Sequence, residues 1–190
     1  MRNKKTLEMT TLAMFIAIIV VMAMIPQVGF FQYGGVAITT LHVPVIIGAI
    51  YGGKKFGLTL GVAFGVFSLL IAYLRPGPVD VVFQNPLISI LPRALFGLAA
   101  SYIFIGLNKL IKNLTVAVGL TFALATFTHT VFTLSALILF QDSIEEFLGP
   151  LFTFIATVMA LNGPIEIALA VIIGTPIVVR LKQSSQFSLD

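Results

Sequence analysis

The stretch Ile38-Thr-Thr-Leu-His-Val-Pro-Val-Ile-Ile-Gly-Ala-Ile-Tyr-Gly-Gly-Lys-Lys-Phe-Gly-Leu-Thr-Leu-Gly-Val-Ala-Phe-Gly-Val-Phe-Ser-Leu-Leu-Ile-Ala-Tyr-Leu74 consists of two apolar runs divided by Gly52-Gly53-Lys54-Lys55. Apolar residues run through both halves without the alternation of a half-buried strand, and Gly with Lys punctuates the middle. The reading is a short helix over about 38–51, a turn, and a longer helix over about 56–74. Gly53, Gly57, Gly61 and Gly65 recur every fourth residue. On a helix that spacing makes one flat ridge where a second backbone can come close, as small-xxx-small packing requires. The ridge is expected to serve packing within the bundle.

The rest of the chain repeats this texture. Of its 190 residues, 58% are hydrophobic and only 9% are charged, where a soluble domain carries about 25% charged residues. A bilayer core of roughly 30 Å needs about 20 apolar residues per helix, so the length allows six or seven spans and no sizeable soluble domain. Pro, Gly and charge punctuation places spans at about 7–25, 38–51, 56–74, 87–107, 114–140 and 150–179, with a break in the last near Gly163-Pro164. The fold class is therefore an all-α integral membrane protein, a bundle of six transmembrane helices in one membrane domain over 1–190. The first run follows Arg2, Lys4 and Lys5 but is long and leads into further spans, so it reads as a retained helix rather than a secretory signal.

Alternate connectors hold Arg2, Lys4, Lys5, Lys54, Lys55, Lys109, Lys112, Arg180 and Lys182, nine of the eleven basic residues. By the positive-inside rule both termini are cytoplasmic, and an even number of spans follows. The other face receives the loop with Phe30, Phe31, Gln32 and Tyr33, then Arg75 with Asp80, then the acidic triplet Asp142, Glu145 and Glu146. A pI near 9.6 does not argue for nucleic acid, because the net charge is only +4 and the basic residues are dispersed rather than gathered in one patch.

Catalytic signatures fail on inspection. Gly48 to Lys54 satisfies G-x-x-x-x-G-K, but Lys55 replaces the Mg²⁺-binding hydroxyl and the segment ends an apolar helix instead of linking a strand to a helix. Two histidines far apart and no Cys leave no zinc or thiolate site. Asn113-Leu-Thr115 falls on the expected cytoplasmic side, where no glycosylation occurs. No catalytic residue, metal or cofactor is assigned.

What remains is a small set of polar residues in or beside the spans, where they are costly unless they face the bundle interior or a cavity. Arg93 stands some six residues into its helix, roughly 9 Å deep at 1.5 Å per residue. It reads either as a structural partner of Asp80 or as a cation for an anionic substrate. His129 reads as an interhelical hydrogen-bond group or a ligand contact. Asn162 and Glu166 share a face one turn apart, in a structural role at the helix break. Gln84-Asn85 could aim amides into a cavity mouth, and Phe31 and Tyr33 serve as a lid or an interfacial belt. Arg93, His129 and Glu166 lie on different helices at different estimated depths, which argues against an intramembrane lipid-modifying enzyme. A self-contained secondary transporter would show paired broken helices, and only one break is legible.

Ala13-xxx-Ala17 on the first helix, Leu41-His-Val-Pro-Val-Ile-Ile-Gly48, the Gly-spaced third helix and Asn162 to Glu166 on the last, in this order, resemble the substrate-binding S components of energy-coupling factor (ECF) vitamin transporters. The resemblance covers nearly the whole chain. It implies a vitamin-binding subunit in the bacterial cell membrane, a transmembrane scaffold subunit contacted by Ala13 and Ala17, and two separate ATPase subunits. It further implies a substrate site in the outer half, for which Phe31, Tyr33, Asn85, Arg93 and His129 are candidates by location. The Leu41–Gly48 segment is most similar to the pantothenate-type members, and Arg93 suits a carboxylate. Members that take hydroxymethylpyrimidine or pyridoxine are the alternative.

Overall fold

The computed structural model describes residues 4–33, 36–75, 80–140 and 151–184. The acidic triplet and the pair Gly34-Gly35 lie outside the described residues. Helix α1 spans Lys4–Met24, a short α2 spans Pro26–Gly29, and strands β1 (Phe30–Tyr33) and β2 (Val36–Thr39) pair antiparallel with Phe30 opposite Thr39. Helical geometry then runs over His42–Leu74 (α3), followed by a 3₁₀ turn Asp80–Gln84 and α4 (Pro86–Ser89). Three long elements complete the chain: α5 (Leu91–Leu110), α6 (Leu114–Phe140), and α7 (Leu151–Thr157), which passes through a π-helical turn Val158–Asn162 into α8 (Gly163–Gln183). Five of these stretches are long and apolar enough to cross a membrane: Lys4–Met24, His42–Leu74, Pro86–Leu110, Leu114–Phe140 and Ile155–Gln183.

The stretch His42–Leu74 is not one straight rod. Gly53 has φ 69° and ψ −156°, a backbone state open to glycine and strained for other residues. His42 and Phe64, each eleven positions from Gly53, both stack on the ring of His129, at 5.7 and 5.4 Å between centroids. In a straight helix they would stand roughly 33 Å apart at 1.5 Å per residue. The chain therefore reverses at Gly53 into a helical hairpin. Gly53 itself drops out of the expected ridge, and a Cβ there would meet nothing within 4 Å.

The two limbs differ in environment. The short limb is buried on every side from Leu41 to Ile50, as a helix apolar all round should be, and α1 lies across it with Phe15 against Gly48. It measures roughly 16 Å from His42 to the turn, about half a bilayer core. The long limb buries one face only. Gly57, Gly61 and Gly65 meet α5 there: Cβ atoms at these positions would strike the carbonyl of Gly97, the carbonyl of Arg93 and the backbone of Ile90. The expected role of the glycine ridge in internal packing is thus observed. Phe64, Phe96 and Phe122 fill the core beside it with no exposed surface. Apolar transfer does little between helices in lipid, so this close packing carries the association.

The segment expected as a loop over 27–37 instead forms the short helix and hairpin. Thr40 donates its backbone N–H to the Gly29 carbonyl at 3.1 Å, and its hydroxyl to the Val28 carbonyl, which closes the hairpin onto α2. At the same end of the bundle Arg75 donates to the Met24 carbonyl at 3.1 Å, Tyr73 to the Gln84 carbonyl and Gln84 to the Ala72 carbonyl. The opposite end holds the Gly53 turn, where Lys54 lies over the Tyr102 ring and Lys182 over the Phe104 ring.

Candidate functional site

A polar cluster sits where the short limb of α3 begins. His42, Arg93, His129 and Glu166 come from α3, α5, α6 and α8, and none is more than 5% exposed. His129 is held on three sides, by His42 (interplanar angle 15°), by Phe64 (30°) and by Phe96 edge-on at 4.9 Å. The Arg93 guanidinium lies 5.6 Å from the Phe64 ring centroid and 4.8 Å from that of Phe83, which favours a cation over the ring faces. It donates one N–H to the Ile88 carbonyl at 2.6 Å. Glu166 accepts the backbone N–H of Thr39 at 2.7 Å, which ties α8 to β2 two residues before the short limb's cap. The Phe64 ring faces both Arg93 and His129 and so joins α5 and α6 at this level.

Several polar atoms in this cluster have no hydrogen-bond partner: both ring nitrogens of His42, both of His129, Nε of Arg93 and the hydroxyl of Thr126. Buried polar atoms are nearly always partnered, and an orphan costs about 1–3 kcal/mol. Six such atoms belong to this group of neighbouring side chains.

The sequence-predicted residues divide accordingly. Arg93 and His129 are brought together, and Glu166 joins them, so the expectation that the three fall at different depths is overturned. Arg93 is also deeper than the roughly 9 Å expected. Its carbonyl lies against Gly61, thirteen residues below the end of the long limb, or roughly 20 Å at 1.5 Å per residue. The cause is the segment from Asp80 to Ile90, which enters the bundle before α5 starts: Gln84 bonds at the level of Ala72, while Ile90 packs against Gly65.

Asn85 does not join the cluster. Its side-chain oxygen caps α4 through the Leu87 N–H at 3.0 Å and its amide donates to the Phe140 carbonyl at 3.4 Å, so its groups hold the rim together. Phe31 and Tyr33 stand on β1, with their side chains outside the described residues. Asn162 is buried in the π-helical turn and Glu166 one turn beyond it, on the shared face the spacing predicts. Ala13 and Ala17 are exposed along the outward side of α1.

His42 is the member that sequence reasoning missed. The signal is present: an ionisable side chain beside an apolar membrane run is a functional candidate by default, although His42 is followed at once by the apolar run Val43 to Ile47.

Among known proteins, two relatives are similar in sequence. The pantothenic acid transporter PanT of Lactococcus lactis subsp. cremoris (strain MG1363) is 30% identical over 200 residues, covering 97% of this chain and 98% of the relative. The pantothenate transporter PanT of Leuconostoc mesenteroides subsp. mesenteroides is 32% identical over 141 residues, covering 69% of this chain and 68% of the relative. The family model for the substrate-specific component of ECF transporters matches residues 7–178. With a multi-pass apolar bundle and a deep, unsatisfied polar cluster, this chain belongs to the ECF transporter substrate-specific component family, as a membrane transport subunit and not an enzyme.

Proposed function

We propose that this chain is the pantothenate-binding subunit of an ECF-type importer and that the cluster of Arg93, His129 and His42 receives the vitamin's polar groups. The observation that carries the reading is the set of unpartnered nitrogens around a buried guanidinium, in a chain whose relatives are named for pantothenate. Pantothenate offers a carboxylate, hydroxyls and an amide. A guanidinium binds a carboxylate through charge-assisted hydrogen bonds, and neutral imidazoles each offer one donor and one acceptor to the hydroxyls and amide.

The surrounding elements take supporting roles in this reading. The hairpin with Phe31 and Tyr33 covers the site from outside, and Asn85 stiffens its rim. Closure leaves the cluster almost without exposed surface, so the outer segments open to admit the ligand. The chain crosses the membrane six times, the second crossing made by β2 and the short limb of α3 together and the third by the long limb, and the end bearing Lys54 and Lys182 faces the cytoplasm together with both termini. Ala13 and Ala17, exposed on α1, meet a transmembrane scaffold subunit, and two ATPase subunits supply the energy.

Calorimetry with a vitamin panel on the purified chain tests the proposal. Pantothenate binds tightly, and Arg93→Ala weakens it at least a hundredfold, in line with losing about 3 kcal/mol when one partner of a buried ionic contact is removed. Tight binding of a hydroxymethylpyrimidine or pyridoxine with no heat from pantothenate would reverse the assignment.

A further inference from the structure

The two aromatic rings beside Arg93 differ in how they are held. Phe64 belongs to the long limb of α3, has no exposed surface and is stacked on His129. Phe83 belongs to the 3₁₀ turn Asp80–Gln84 and is only half-buried, with its carbonyl accepting the hydroxyl of Ser89. Its ring is nevertheless the nearer of the two, at 4.8 Å from the guanidinium carbon against 5.6 Å for Phe64. One ring is thus fixed in the core, and the other reaches the same cation from the outer turn.

These rings limit how an anion can reach Arg93, which is itself only 4% exposed. Two ring faces lie against the guanidinium, and the Ile88 carbonyl takes Nη1 at 2.6 Å. Nε has no partner. An aromatic face carries partial negative charge, so it attracts the guanidinium and repels any anionic oxygen brought between them. The approach left open is the one on the side of Nε. A carboxylate suits it, because its two oxygens lie in one plane and meet the flat guanidinium fork side by side. A sulfonate or phosphate carries three oxygens around a tetrahedral centre. When two of them meet the fork, the third stands out of that plane, where a ring face opposes it.

We infer that Phe83 is a specificity-determining residue, whose ring narrows the anion site at Arg93 to planar carboxylates and turns away tetrahedral oxyanions. This rests on the pantothenate reading above. A carboxylate and a sulfonate each bring one negative charge, so attraction to Arg93 does not separate them, and the discrimination comes from what the ring excludes. Phe83 is the ring to test, since replacing Phe64 would also disturb the packing of His129.

The experiment is calorimetry on the intact, detergent-purified chain with pantothenate and with pantoyltaurine, in which a sulfonate replaces the carboxylate. The unmutated protein should bind pantothenate roughly tenfold or more tighter than pantoyltaurine, the scale on which a close-fitting pocket rejects one added group. Phe83→Leu should bring the two affinities together, and Phe83→Tyr, which keeps the ring, should hold them apart. Equal affinities in the unmutated protein overturn the inference without needing any variant to fold. Proportional weakening of both ligands in Phe83→Leu makes Phe83 a structural residue only and overturns it too, as does a Phe83→Tyr protein that loses the discrimination. In each of these cases pantothenate still binds the unmutated chain and the reading beneath survives. Absence of pantothenate binding to that chain, with another vitamin bound, removes the reading and the inference together.

Discussion

Helices α1 and α3 both carry small residues four apart, and they put them to opposite uses. On α3 the glycines at 57, 61 and 65 are buried against the α5 backbone, so closely that no side chain fits between. On α1 the alanines at 13 and 17 face outward, and only 11% of its apolar stretch is buried, against 50% for Pro86–Leu110. One spacing has thus produced a finished internal joint on α3 and an exposed face on α1. A small-residue pattern states that a backbone can approach closely. It does not state whose backbone that is.

The contrast can be broken most forcefully at the finished joint. Gly61→Leu drives a side chain into the Arg93 backbone, and thermal unfolding in detergent should show a loss above about 3 kcal/mol, beyond ordinary overpacking because the obstacle is main chain. Retention of wild-type stability would mean that α3 and α5 are not in this contact. Gly53→Ala comes next, at about 1–3 kcal/mol, since it forces a side-chain-bearing residue into a backbone state reserved for glycine. Ala13→Leu or Ala17→Leu sharpens the comparison from the other side. Stability of the isolated chain should change by no more than about 0.5 kcal/mol, as at an exposed site, and pantothenate binding should persist. Co-purification with the scaffold subunit should be lost, and parallel loss of vitamin binding would show that this face serves the bundle itself.

Much of the fold was legible because lipid imposes blunt requirements. Long apolar runs between charged or glycine-rich punctuation gave the spans, and Gly52 to Lys55 marked the reversal. The outer segments were not legible. Phe30 to Thr39 holds no strong turn or alternation signal, and its hairpin is closed by bonds from Thr40 to α2 that no local pattern announces. The path of Asp80 to Ile90 along α3, which brings the Arg93 backbone to the level of Gly61, depends on where Gln84 and Ile90 find partners on α3. At the site, Arg93 and His129 stood out as costly polar residues in spans, whereas His42 was masked by its apolar neighbours and Asn85 by a composition that fits a cavity as well as a cap.

The sequence by itself determined that this chain lives in a bilayer, where its helices begin and end to within a few residues, which end carries the basic charge, and which few polar side chains must hide from lipid. Those are properties of single segments in a known solvent. Only the tertiary structure decided that His42, Arg93, His129 and Glu166 share one buried volume, and that one small-residue ridge is filled while the other stays open. Proximity across helices depends on a reversal at Gly53 and on packing depths that accumulate over whole elements, and no local spacing records either.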